Sequence, residues 1–486
     1  MNMVKYANVN KVGFINLTYW EGKIMSTNNS KPFGIKDKLG YMFGDFGNDF
    51  TFILASMIMM KFYTDVMGVS ADLVGSLMMV ARFVDAFTDV TMGQIVDRSK
   101  PTAAGKFKPW LLRICGPVAV ASFLIYGSWF ANMGMGFKVG YMFVTYLLWG
   151  SVFYTAVNIP YGSMASAISA NPEERASLST FRTMGGALAG ICIGVILPLL
   201  IYDKVGDVQV MNGGKVTIAA GVCSVAAVLC YILCYNMCTE RVKLEQKTEK
   251  FDLGALVKGL VTNKALIGIV LSSVCMLLVQ LTASTLQGYV YPDYYGNVAA
   301  QSVAGLAAMV PTFLLAAFIG KLQAKFGRKE LSIAGGVWGA IIFIIMYFMH
   351  ISNPWLFAGM YTLGYIGLAI GQLICWAMIT DVIDDTEVQT GSRSDGEIYS
   401  VYSFARKMGQ AASSGVAGAL LTAIGYVSGS TVGQTEAVKE GIYTLSCLVP
   451  GIGFLLLAAI TWFFYPLSKK RVNDNVKFLE AKRAGK

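Results

Sequence analysis

Two carboxylates and a guanidinium lie close together in one apolar stretch, "ARFVDAFTDVTMG" (residues 81–93). Asp85 and Asp89 are four residues apart, so on a helix they share a face about one turn from each other. In a low dielectric such a pair repels unless one acid takes a proton or a cation lies between them. The spacing therefore predicts a site for H⁺, Na⁺ or Li⁺, to which Thr88 can add a hydroxyl oxygen. A structural ion pair with Arg82 is the alternative, although one arginine cannot neutralise two acids.

A second pair of acids, Asp45 and Asp49 in "FGDFGNDF" (residues 43–50), repeats the same spacing. A carboxylate can accept hydrogen bonds from two adjacent hydroxyl groups of a sugar. Such polar groups give specificity, because leaving them unpaired in a dry site costs free energy. Asp49 lies deeper in the apolar stretch and is the better candidate for binding a substrate. Asp45 is expected to cap or pair near the end of the helix.

Further polar side chains lie in "YTAVNIPYGSM" (residues 154–164). Tyr154, Thr155 and Asn158 occur there at helical spacings and can line a polar cavity. Pro160 follows them, and a proline inside a helix removes a backbone hydrogen bond and kinks the chain. We expect the helix to break at this stretch.

Lys407 is the one lysine well inside a late apolar stretch, in "YSVYSFARKMGQ" (residues 399–410). An ionisable residue at membrane depth costs about 2.5–3.5 kcal/mol even on mild insertion scales, so it usually serves a function. We expect Lys407 to balance Asp85 and Asp89 or to bind an anionic group of a substrate. A purely structural pairing with a neighbouring acid is the alternative.

The elements that hold these residues are predicted to be membrane spans. The chain has 486 residues, of which 55% are hydrophobic and 14% charged, whereas an average soluble domain is about 25% charged. Windows of about 20 residues with almost no charge recur, each long enough to cross a bilayer core of about 30 Å. An all-α polytopic membrane protein is therefore predicted. The net charge of +10 does not indicate nucleic acid as a partner, because the basic residues lie between the spans.

Twelve spans are predicted, and the polar segment 239–264 divides them six and six. Their approximate bounds are 39–63, 72–96, 109–131, 140–168, 178–201, 216–238, 265–288, 300–323, 331–350, 354–380, 398–425 and 441–465. The predicted organisation is thus a segment 1–38, a six-helix half 39–238, a central loop 239–264, a second half 265–465 and a tail 466–486. Lysines and arginines concentrate in the even-numbered connections and the tail, which predicts that both termini are cytoplasmic.

Other features of the chain set limits on its function. Residues 1–24 have no continuous apolar region typical of a signal peptide, and we expect Met25 to be the natural start. Nine cysteines without a CxxC pair, together with a single histidine, give no clustered ligands for a metal site. No nucleophile and base are paired in a way that supports an enzyme.

Several stretches in order along the chain resemble the glycoside–pentoside–hexuronide:cation symporter family. They are "YMFGDFGNDFTF", "FYTDVMGVS", "ARFVDAFTD", "GKFKPWLLR", "YTAVNIPYG", "EERASLSTFR", "TDVIDDTE" and "IYSVYSFARKMGQ". The resemblance covers the chain from about Lys36 onward. It implies a major facilitator superfamily fold of two six-helix halves, and sugar uptake driven by a Na⁺ or H⁺ gradient.

The resemblance also implies roles for individual residues. Asp85 and Asp89 match acids of the cation site, and Thr155 and Lys407 match residues beside it. At the sugar site, Asp49 and Arg182 match the family. Five residues depart from the family's best-known member: Asn48 replaces a lysine, Thr88 an asparagine and Asn158 an acid, and Gly162 and Gln372 each replace a tryptophan. The departures remove sugar contacts and one cation-site acid, which leaves open which sugar is carried and whether Na⁺ or H⁺ is used.

The predicted function is secondary active transport in the cell inner membrane. A glycoside, pentoside or hexuronide would enter with Na⁺ or H⁺, without a cofactor, through a monomer surrounded by membrane lipid. Two alternatives stay open: a lipid or lysolipid carrier of the same fold, and a sugar sensor that binds without transporting. Lysolipid uptake by the purified protein would indicate the lipid carrier. Sugar binding without net sugar flux would indicate the sensor.

Overall fold

The computed structural model describes residues 32–205, 208–242, 263–391, 395–429 and 433–483. The predicted start at Met25 and most of the predicted central loop lie outside these residues.

The first half contains eight helices and a short hairpin. The helices are α1 (Ile35–Lys61), α2 (Ala71–Arg98), α3 (Lys108–Ile125), α4 (Met135–Leu147), α5 (Thr155–Ile168), α6 (Pro172–Ile191), α7 (Leu197–Ile201) and α8 (Gly213–Met237). Turns of π-helix follow α1 (Phe62–Val66), join α4 to α5 (Leu148–Tyr154) and join α6 to α7 (Cys192–Ile196), and a 3₁₀ turn (Ser128–Phe130) precedes α4. Strands β1 (Tyr202–Val205) and β2 (Val208–Met211) pair antiparallel.

The second half contains nine helices. They are α9 (Lys264–Tyr289), extended by a π-helical turn (Val290–Tyr294), α10 (Val298–Ala307), α11 (Val310–Ala316), α12 (Ile319–Phe326), α13 (Arg328–Met349), α14 (Pro354–Thr390), α15 (Asp395–Ala423), α16 (Glu436–Phe464) and α17 (Lys469–Arg483). Each of the twelve predicted spans coincides with one of these helices or with a run of consecutive ones.

Two of the predicted spans have a different form from the one expected. The predicted break near Pro160 is wrong, because α5 continues through that proline and the irregular backbone is the π-helical segment Leu148–Tyr154 before it. The eighth span is divided into α10, α11 and α12. Pro311 lies in the first turn of α11, where its missing N–H costs no helical hydrogen bond.

Nine segments among the described residues are long and apolar enough to cross a membrane. The helices α1, α2 and α15 are outside that set, although they have 27, 28 and 29 residues. These three carry most of the charged residues singled out above, which lowers their hydropathy. That all twelve spans cross the membrane stays a prediction, since α1, α2 and α15 are long enough but less apolar than the other nine segments.

The two halves are held together most closely at the end of the bundle where α1 finishes, which we call the far end. Here α2 packs tightly on α15: a Cβ atom on Gly75 would lie 2.5 Å from the carbonyl oxygen of Ser414, and one on Gly418 would lie 2.3 Å from that of Ala71. A side chain at either glycine would force the helices apart. The opposite end, which carries the basic connections, we call the basic end.

A buried polar cluster closes the far end. Lys61 forms ion pairs with Asp65, at 2.8 Å, and with Asp293 of the second half. Its ammonium also donates to the hydroxyl of Tyr426 at 3.0 Å and lies 4.4 Å from the centre of the Tyr289 ring. We call these five residues the far-end cluster. Hydrogen bonds between the halves run from this cluster to the middle of the bundle, and among the described residues none lies at the basic end.

Candidate functional site

The two acids of α2 face the chain that joins α4 to α5. The Ser151 hydroxyl, in the π-helical segment, donates to Oδ1 of Asp85 at 2.5 Å. The Thr155 hydroxyl, one turn later, donates to Oδ1 of Asp89 at 2.8 Å. Turns of π-helix occur often at functional sites, and this one presents Ser151 to Asp85, while Thr155, the first residue of α5, contacts Asp89. Sequence reasoning missed Ser151, although it precedes Thr155 by four residues and so lies on the same helical face.

Lys407 joins this site from the other half of the molecule. Its ammonium forms an ion pair with Oδ2 of Asp89, whose other oxygen accepts from Thr155. The Lys407 side chain is 32% exposed and that of Asp89 17%. The structure therefore brings the predicted lysine and one predicted acid into direct contact, in a setting that water and ions can reach.

Arg82 completes the charge balance of the site. Its guanidinium lies 3.6 Å from Oδ2 of Asp85 and 5.1 Å from the centre of the Phe52 ring. Two acids thus face two cations, Arg82 and Lys407. The repulsion expected between Asp85 and Asp89 is already relieved by side chains, so a cation that enters must compete with one of them. We call Arg82, Asp85, Asp89, Ser151, Thr155 and Lys407 the central site.

Thr88 lies outside these contacts. Its hydroxyl donates to the main-chain carbonyl oxygen of Asp85 at 3.1 Å, a bond that helical threonines commonly make to their own helix. The structure therefore does not bring Thr88 to the carboxylates together with Ser151 and Thr155.

A second polar region lies between α1 and α6. Arg182 donates through Nε to Oδ1 of Asp45 at 2.8 Å, and its guanidinium lies over the Tyr161 ring at 5.3 Å. A Cβ atom on Gly186 would lie 2.7 Å from Oδ2 of Asp49 and 3.3 Å from Oδ2 of Asp45. The glycine is thus needed for both carboxylates to occupy this position.

Asp49 differs from Asp45 in having no hydrogen-bond or ion-pair partner among the described residues. Its carboxylate is half-buried, and no hydrogen bond or ion pair joins it to any other part of the chain that the structure describes. Asp45 takes up Arg182, as expected of the acid that pairs. Asp49 therefore keeps its acceptor oxygens available for hydroxyl groups of a ligand.

The remaining residues predicted to bind substrate are distributed over both halves. The side-chain oxygen of Asn158 accepts from Asn48 at 3.5 Å, and Asn48 in turn accepts from the Tyr231 hydroxyl at 2.7 Å. The Tyr154 ring stacks on Phe52 at 5.7 Å, close to the central site. Asn48 and Tyr231 hold Asn158 in place, a support that sequence spacing does not reveal.

Gln372 lies apart from these residues. It is half-buried on α14, and within the described parts of the chain it has no hydrogen bond to another side chain. Among the residues described, no hydrogen bond joins it to Asp49, Asn158 or Arg182.

The arrangement, with acids and cations of both halves meeting at the centre of a helical bundle, is typical of membrane transporters. A family model described as "MFS/sugar transport protein" matches residues 40–469. The chain belongs to this family.

Relatives of this MFS/sugar transport protein span nearly its whole length. It is 33% identical over 467 residues to "Uncharacterized symporter YjmB" of Bacillus subtilis, covering 95% of this chain and 98% of that one. It is 29% identical to a glucuronide carrier protein homolog of Escherichia coli, covering 90% and 94%. It is 30% identical to the isoprimeverose transporter of Lactiplantibacillus pentosus, covering 89% of each.

Solved structures show the same fold at low identity. A D-xylose–proton symporter matches with a TM-score of 0.61 at 14% identity, over 90% of this chain and 98% of that one. The nucleoside transporter NupG matches with a TM-score of 0.62 at 11% identity, over 90% and 100%. The chain is thus a major facilitator superfamily transporter of the MFS/sugar transport family and not an enzyme.

Proposed function

We propose that this transporter takes up a glycoside, pentoside or hexuronide together with H⁺ or Na⁺. One observation carries the proposal: Asp89 of the first half and Lys407 of the second share an accessible ion pair beside a second acid, Asp85. A cation that neutralises these acids weakens the attraction to Lys407. Cation binding thereby weakens an ion pair that joins the two halves of the molecule.

Sugar binding is proposed at the region between α1 and α6. Asp49 offers free acceptor oxygens to adjacent hydroxyl groups, while Arg182 and Asn158 contribute donors nearby. The names of relatives support a sugar substrate: one is a carrier homolog for glucuronides and another transports isoprimeverose. By linkage, a cation that favours sugar binding is itself bound more tightly when sugar is present.

The proposed location is the cell membrane, with the basic end in the cytoplasm, because short loops rich in lysine and arginine remain on that side. The far-end cluster then closes the external side. Water and ions would then reach the exposed atoms of Asp89 and Lys407 from the cytoplasm. The structure would thus correspond to the inward-facing state, from which cation and sugar are released.

Uptake into proteoliposomes tests this proposal. Purified protein is given radiolabelled sugars under an imposed Na⁺ gradient, an imposed pH gradient or neither, and compared with Asp85→Asn. Asp97→Asn is the matched control, since Asp97 lies on the same helix with its side chain 57% exposed. We expect gradient-driven accumulation by the wild type and the control, and its loss in Asp85→Asn. Accumulation of lysolipid and not of sugar, or sugar binding without net flux, would contradict the proposal.

A further inference from the structure

Four cations lie well inside the helices that carry the polar residues described above: Arg82, Arg182, Arg406 and Lys407. Three have an acidic partner, namely Asp85, Asp45 and Asp89 respectively. Arg406 differs, because no ion pair and no hydrogen bond joins its guanidinium to any residue the structure describes. A charge at this depth costs about 2.5–3.5 kcal/mol even on a mild insertion scale, so an unpaired arginine here calls for a partner from outside the chain.

Aromatic rings fix the position of the Arg406 guanidinium. Its central carbon lies 5.4 Å from the centre of the Trp376 ring and 5.9 Å from that of Tyr402. Tyr402 is 1% exposed, and its hydroxyl contacts the Cys375 sulfur at 2.8 Å. Stacking of this kind is favourable for a guanidinium over an aromatic face. It covers the flat face of the guanidinium and leaves the N–H donors at its edge unpaired.

Arg406 lies one residue before Lys407, which reaches across to Asp89, and its own side chain leaves α15 about 100° around the helix from that of Lys407. Its stacking partner Trp376 follows Gln372 by four residues and so lies on the same face of α14, with 48% of its surface exposed. The guanidinium is therefore held between α14 and α15, on the side of α14 that also carries Gln372, a residue predicted to bind substrate.

We propose that Arg406 binds an anionic group of the substrate, a carboxylate or sulfonate attached to a sugar. This inference rests on the proposed function. The planar guanidinium donates two parallel hydrogen bonds that match either oxyanion. Lys407, the cation that the sequence suggests for this role, already pairs with Asp89, and Arg182 already pairs with Asp45. In this proposal Arg406 holds the anionic group through the N–H donors at the edge of its guanidinium.

The test compares sugars that differ in the anionic group alone. Binding of D-glucose, D-glucuronate and 6-deoxy-6-sulfo-D-glucose to the purified full-length protein is measured by isothermal titration calorimetry. The variants are Arg406→Gln and Arg406→Lys, with Arg113→Gln as the control, because Arg113 is exposed on α3. Charge-assisted hydrogen bonds contribute about 1.5–3 kcal/mol, which corresponds to a change of roughly 10- to 150-fold in affinity.

We expect the wild type to bind one anionic sugar at least about tenfold more tightly than glucose. Whichever of the two binds more tightly distinguishes carboxylate from sulfonate. Arg406→Gln should remove this preference and leave glucose binding within about twofold, so that glucose binding also reports correct folding. Arg406→Lys should fall between, because it keeps the charge and loses the two-pronged geometry.

Two results would overturn the inference while leaving the proposed function intact. In the first, the wild type accumulates neutral sugars with a cation and shows no preference for either anionic sugar. In the second, Arg406→Gln weakens neutral and anionic sugars equally. Failure of the wild type to accumulate any sugar under any gradient would instead contradict the proposed function itself.

Discussion

The far-end cluster and the central site both pair a lysine of one half with an aspartate of the other, yet they differ in burial. At the far end the Lys61 side chain is 2% exposed and that of Asp293 10%. At the centre the corresponding values are 32% for Lys407 and 17% for Asp89. A buried pair is costly to separate, because each charge loses its partner before it regains water. An exposed pair can exchange its partner for an ion.

The number of partners also separates the two regions. The Lys61 ammonium contacts two carboxylates, a hydroxyl and an aromatic ring. The Lys407 ammonium has one carboxylate partner, Asp89, among the described residues. We conclude that the far-end cluster serves to close the molecule, whereas the central site is built to respond to a ligand.

The largest expected effect is that of Lys61→Met. It leaves Asp65 and Asp293 buried without their cation, and breaking a buried pair in this way costs about 3–5 kcal/mol. We expect a clear fall in the melting temperature of the detergent-purified protein, measured by differential scanning fluorimetry. The double variant Lys61→Met/Asp293→Asn should recover part of the loss. Equal melting temperatures for wild type and Lys61→Met would contradict the claim that the buried far-end cluster stabilises the closed end of the molecule.

Lys407→Met is expected to lower stability less than Lys61→Met does, and to impair transport more than it lowers stability. The pair it breaks is partly exposed, so its loss should cost on the order of 1 kcal/mol in unfolding free energy. Because Asp89 then lacks its cation, sugar accumulation driven by a gradient should fall at least about tenfold, a loss of roughly 1.4 kcal/mol in coupling. Proteoliposome uptake and fluorimetry of the same preparation check both parts. The comparison would fail if Lys407→Met destabilised the fold as much as Lys61→Met.

The smallest effect is expected for Ser151→Ala. Removing one neutral hydrogen bond to Asp85 costs about 0.5–1.5 kcal/mol, so the affinity for the coupling cation should change by roughly two- to tenfold. The cation concentration that gives half-maximal sugar uptake measures this change. Ser163→Ala is a matched control, since its hydroxyl bonds to its own helix at Ile159. If both variants behaved like the wild type, Ser151 would have no part in the site.

The sequence predicts the parts of this molecule that depend on local pattern. Runs of apolar residues locate the twelve helical segments, and four-residue spacing puts Asp85 and Asp89 on one face. Lys407 is evident as a charge in an apolar run. Each of these predictions needs only the rise and period of a helix and the cost of a charge in lipid.

The features that the sequence does not predict depend on contacts between distant segments. Lys61 and Asp293 are separated by 232 residues, and no spacing rule brings them together before the halves dock. The π-helical turn that carries Ser151, with its i→i+5 hydrogen bonds, likewise has no signal in hydropathy, although the four-residue spacing of Ser151 and Thr155 could have indicated that they share a face. The sequence predicts that Asp45 and not Asp49 is the acid that pairs, but it does not identify Arg182, 137 residues away, as the partner.

The most direct test of the central account is whether sugar movement carries the cation. Proteoliposomes without any imposed cation gradient receive an inward sugar gradient, and entry of H⁺ or Na⁺ is followed with an internal pH dye or with ²²Na⁺. The account predicts cation entry that follows sugar entry in the wild type, and its loss in Asp89→Asn. Sugar entry by the wild type without movement of either cation, or unchanged cation entry in Asp89→Asn, would contradict it.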